Sequence, residues 1–69
     1  MIYLKAKDNS GYIIFNVNRK LVTIINTKKG SSDTRICNTP EFLDFMQYHL
    51  KDFEVLEELP KAVEVLYAP

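Results

Sequence analysis

Few side chains in this sequence could do chemistry. The only cysteine, Cys37, stands just before a helix start, where a thiol could be activated toward nucleophilic attack. In that setting it reads more simply as a small buried hydrophobe. The only histidine, His49, has Asp52 three residues on. That pair could act as a base or a pH switch, but no second catalytic group stands beside it, and an ordinary hydrogen-bonded histidine is the simpler reading. One cysteine and one histidine cannot build a closed Cys/His zinc site. Glu54, Glu57 and Glu58 read as a solvated acidic face, because nothing in their spacing brings two carboxylates to one point. Lys29-Gly30-Ser31-Ser32 could turn backbone N–H groups toward an anion, but a plain hairpin-type loop is the simpler reading. Glycine occurs only at positions 11 and 30, so no glycine-rich phosphate cradle can form. No catalytic, metal or cofactor motif is recognisable; the expectation is a protein without cofactor and without enzymatic activity.

One constellation is more specific. Tyr3, Lys5, Lys7 and Tyr12 would share a face with Ile14, Leu21 and Ile25 if the first half folds as a β-meander. Tyrosines and lysines on a flat sheet can stack bases and neutralise phosphates. The three aliphatic residues argue instead for burial or for a protein interface. These seven residues form the candidate binding surface.

The elements that must position them can be read from periodicity. Ile2–Lys7 alternates in hydropathy, Asp8–Gly11 is a cluster of turn formers, and Tyr12–Asn18 and Leu21–Lys28 are rich in β-branched and aromatic residues. Pairing Lys7 with Tyr12, and turning at Arg19-Lys20, places Ile2, Leu4, Ala6, Ile13, Phe15, Val17, Val22 and Ile24 on one core face. Lys28–Arg35 reads as a polar loop. Thr39-Pro40-Glu41 is a helix start, with Thr39 as N-cap, Pro40 at the first helical position and Glu41 near the positive dipole end. Phe42, Phe45, Met46, His49, Leu50 and Phe53 recur at helical spacing, which predicts a helix over about 40–51 packed on the core face. Beyond it, Phe53–Leu59 reads as strand or helix, and Lys61–Tyr67 likewise; the preferred order is a strand and then a short helix, with Pro60 between them. No internal repeat or linker is apparent. The expected fold is a single α+β domain over 1–69: a three-stranded antiparallel meander, a helix on one face, then a short C-terminal strand and/or helix.

Composition bounds the function. A domain of 69 residues buries only about 60% of its unfolded surface. With no disulfide possible, it depends on its 46% hydrophobic content or on a partner surface. No apolar run approaches the roughly 18 residues of a membrane span, and the first residues lack a signal-peptide pattern. A soluble protein of the reducing cytoplasm is expected; an exported chain with its leader removed would look the same. The net charge of zero hides an asymmetry: residues 1–35 carry seven cations and two acids, +5, and residues 36–69 carry two cations and seven acids, −5. The resulting expectation is an accessory protein that binds another protein or itself as a homodimer. The alternative is a nucleic-acid binder using the basic and aromatic sheet face. The two differ in whether the C-terminal segment covers that face.

Overall fold

The computed structural model describes residues 1–37 and 40–67, apart from the side chains of Met46, His49 and Leu50. The fold is α+β. Strands β1 (Ile2–Ala6), β2 (Gly11–Asn16), β3 (Leu21–Asn26) and β4 (Ser31–Ile36) form an antiparallel meander. Helix α1 (Pro40–Leu50) crosses to the far edge, where β5 (Phe53–Leu56) pairs antiparallel with β1, and helix α2 (Lys61–Tyr67) follows. The sheet order is β4-β3-β2-β1-β5.

Each face of the sheet has its own core. On one, Leu4, Ile13, Phe15, Val22 and Cys37 pack with Phe42 and Phe45 of α1 and Phe53 of β5. On the other, Tyr12, Ile14 and Ile25 pack with Leu59 and with Val63 of α2, flanked by Tyr3, Leu56, Leu66 and Tyr67. The central strand β2 is therefore covered on both sides, and its residues Gly11–Phe15 are all buried. This explains why Tyr12-Ile13-Ile14-Phe15 is a continuous apolar run rather than an alternating one.

Several sequence expectations need correction. The meander has four strands, not three: Lys28–Arg35 is a turn followed by most of β4, not a loop. Both hairpin registers are shifted by two residues. Leu4 faces Ile13 rather than Phe15, and Phe15 faces Val22 rather than Ile24. An even shift preserves the face of every side chain, so the core face is retained except at its rim. Val17 falls in a turn and Ile2 lies at the exposed end of β1. Phe53 belongs to β5 rather than to the helical stripe, and the helix ends at Leu50. The N-cap assigned to Thr39 lies outside the described residues.

The turns fix the register. Asn16 and Asn26 end their strands in the same way: Asn16 Oδ1 accepts the Arg19 N–H at 3.2 Å, and Asn26 Oδ1 accepts the N–H groups of Lys28 and Lys29 at 3.1 Å. Each turn closes four residues on with a left-handed residue, Lys20 (φ 55°) and Gly30 (φ 64°). Strands accordingly begin at Gly11, Leu21 and Ser31, ten residues apart. This is a structural recurrence that the sequence carries only as Asn-x-x-x-Lys and Asn-x-x-x-Gly. Gly11 is required for a different reason: a Cβ there would collide with the carbonyl oxygen of Ile25.

Candidate functional site

The seven residues of the candidate surface are not an open platform. Tyr12, Ile14 and Ile25 are buried in the α2-side core, Tyr3, Lys5 and Leu21 are half-buried, and Lys7 is exposed in the β1–β2 turn. Periodicity places Tyr3, Tyr12, Ile14 and Ile25 on one face, the aliphatic residues there argue for burial, and the C-terminal segment does cover it. The covering residues are Leu59, just before Pro60, and Val63, Leu66 and Tyr67 of α2; the order read from the sequence, a strand and then a short helix, is the one found, as β5 and α2.

The other chemical candidates are accounted for one by one. Cys37 is buried among Leu4, Ile13, Phe15 and Val22, and its N–H donates to the Lys20 carbonyl at 2.7 Å. His49 sits on α1 with its side chain outside the described residues. Of the Lys29-Gly30-Ser31-Ser32 turn, the Lys29 amide is held by Asn26 Oδ1, which also accepts the Lys28 N–H. Glu54 stands directly across from Lys5, and Glu57 and Glu58 are exposed beyond β5. Asp8 caps its own turn: hydrogen bonds from the Ser10 hydroxyl and the Ser10 N–H hold its carboxyl below the usual carboxylate value. Among the described residues, no three His, Cys, Asp or Glu side chains gather as a metal site, and no helix is long and apolar enough to cross a membrane.

The open feature is the edge of the sheet at β4. Every residue from Ser31 to Ile36 is exposed, although the strand is paired along its full length with β3. The direction of its backbone groups follows from one contact. Cys37 N–H bonds to Lys20 C=O, which extends the β3–β4 register by one position. Hydrogen-bonded pairs alternate along an antiparallel ladder, so Arg35 and Asp33 also turn their amides toward β3. Ser32, Thr34 and Ile36 then turn theirs outward. The bond from Thr27 N–H to Ser10 C=O fixes the β2–β3 ladder independently and agrees, since it directs Leu21, Thr23 and Ile25 toward β2 and leaves Val22, Ile24 and Asn26 for β4.

Side chains on β4 divide by face. Asp33 and Arg35 lie on the α1 side and bridge each other at 2.9 Å, both well exposed. Ser32, Thr34 and Ile36 lie on the α2 side. There Thr34 shares a 2.8 Å hydroxyl hydrogen bond with the buried Thr23, and Ile36 leaves 59% of its surface open. The opposite edge differs. Strand β5 spans four residues and carries Glu54, with Glu57 and Glu58 just beyond it. A short edge with charge on it is poorly suited to further pairing.

A shallow groove of about 400 Å³ lies between α1 and the sheet, with Ile24 on its floor and Phe45 and Phe53 on its walls. Among the described residues that line it, Lys28 is the one charged side chain. No family model matches the chain, and no curated protein or solved structure matches it.

Proposed function

We propose that this chain is a small non-enzymatic binding protein that acts through protein–protein contact, adding strand β4 to a strand of its partner. The observation that supports this reading is the β4 edge: a full six-residue strand with the backbone of Ser32, Thr34 and Ile36 turned outward. An exposed edge of this length recruits a further strand through main-chain hydrogen bonds, while alternate side chains select the partner. Natural edges are usually blunted by shortness, proline, bulges or uncompensated charge, lysine above all. Strand β4 has no proline and no lysine, and its one like-sized charge pair is neutral overall.

The test uses a proline that blocks only the outer edge. Ser32→Pro removes an outward N–H and leaves the ladder to β3 in place. Tagged wild-type and Ser32→Pro chains are compared in pull-downs from the source cell, each with and without nuclease. The reading expects proteins captured by the wild type, insensitive to nuclease and lost with Ser32→Pro, while both chains melt at similar temperatures. Capture that survives Ser32→Pro, or that disappears on nuclease treatment, would contradict it.

A further inference from the structure

We infer that the strand added to β4 is β4 of a second copy, paired antiparallel about a two-fold axis at Thr34. This rests on the edge-strand reading above and names its partner. The argument is one of register. Outward-facing residues must meet outward-facing residues for a ladder to form, so Ser32, Thr34 and Ile36 of one copy can only oppose Ser32, Thr34 or Ile36 of the other. With Thr34 opposite Thr34, Ser32 opposes Ile36 at both ends, and β4 is used along nearly all its length.

That register also places Asp33 of each copy directly across from Arg35 of the other, twice. Both positions fall in a non-hydrogen-bonded pair, where facing Cα atoms are only about 4.5 Å apart and side chains interact most closely. The Asp33–Arg35 bridge within each strand becomes a four-residue charge cluster. On the other face, the Thr23–Thr34 hydroxyl pair continues into the Thr34 and Thr23 of the second copy. The neighbouring allowed registers are penalised. Sliding the strands one way sets Asp33 against Asp33; sliding them the other way sets Arg35 against Arg35. Like charges directly opposite are destabilising, so the pattern Ser-Asp-Thr-Arg-Ile selects one alignment and disfavours its neighbours. The symmetry closes: the dimer uses both β4 edges and leaves only the short acidic β5 edges at its ends, so it does not extend into a fibre.

Charge reversal tests the register directly. Sedimentation velocity of the full chain, from micromolar to millimolar protein, should show a wild-type monomer–dimer equilibrium. Asp33→Arg alone and Arg35→Asp alone each turn both cross-strand pairs into like charges and should weaken dimerisation about tenfold or more. An equimolar mixture of the two variants restores opposite charges in every pair, and it should form a heterodimer with one chain of each. Both positions are exposed, and circular dichroism melts check that the variants stay folded. A wild-type chain that remains monomeric throughout, variants that dimerise like the wild type, or a mixture that fails to associate would overturn the inference. If the chain stays monomeric while Ser32→Pro still abolishes capture of cellular proteins, self-pairing fails and the edge-strand reading stands. Loss of both refutes the two together.

Discussion

Phe15 is the largest fully buried side chain of the α1-side core. It is 1% exposed and lies between Ile2 on β1 and Val22 on β3. Phe15→Ala should cost about 3–5 kcal/mol, a large share of the stability of so small a domain, and urea denaturation measures it. The turns offer a paired test of opposite sign. Lys20 and Gly30 occupy equivalent left-handed positions, but only Gly30 does so without steric penalty. Lys20→Gly should stabilise by up to about 1 kcal/mol, whereas Gly30→Lys should destabilise by about 1–2 kcal/mol, even though the space beside Gly30 is open. The same positions explain why the register was only half legible. Alternation decides which face a side chain takes, and Ile13, Phe15 and Val22 were placed on the right one. It says nothing about a slip of two, which depends on where each turn begins. That point is set by Asn16, Asn26 and Asp8 capping backbone amides, through short-range hydrogen bonds that hydropathy does not register.

At the scale of elements, the helices and strands that bury apolar faces could be read, and those that do not could not. Helix α1 announces itself through Pro40 and through Phe42 and Phe45 at helical spacing. Strand β4 has no apolar face, and Ser31-Ser32-Asp33-Thr34-Arg35 looks like a loop by composition. It is a strand because β3 offers it a complete ladder at the edge of the sheet, a tertiary cause that outweighs local propensity. The signal that could have revealed it is the return of Asn16-x-x-x-Lys20 as Asn26-x-x-x-Gly30, which predicts a further hairpin. Helix α2 makes a testable contrast within two residues. Val63 is 6% exposed against Ile14 and Ile25, while Val65 is 76% exposed. Val63→Ala should lose about 1.5–3 kcal/mol, and Val65→Ala should stay within about 0.5 kcal/mol of wild type in the same denaturation experiment. Equal effects would mean that α2 does not cover the tyrosine face.

For the whole molecule, covering both faces of the sheet has a functional consequence. The tyrosine and lysine platform suggested by the first half of the sequence is covered in part by the second half: Tyr12, Ile14 and Ile25 are buried beneath it, Tyr3 and Lys5 are half-buried, and Lys7 stays exposed. What the three layers leave open is the perimeter, and of the two edges only β4 is long and close to neutral. The candidate residues for binding thus move from Tyr12, Ile14 and Ile25 to Ser32, Asp33, Thr34, Arg35 and Ile36. Their types gave no hint of this, because a backbone edge is recognised by position in the sheet and not by chemistry. Residue-resolved amide exchange along β4, at low and high protein concentration, tests this most directly. In the dilute chain the amides of Asp33 and Arg35 should exchange slowly and those of Ser32, Thr34 and Ile36 fast. In the concentrated chain the three outward amides should become protected as well, each copy shielding the other. Outward amides that exchange equally fast at every concentration would contradict pairing through this edge, and fast exchange at Asp33 and Arg35 would contradict the β4 strand itself.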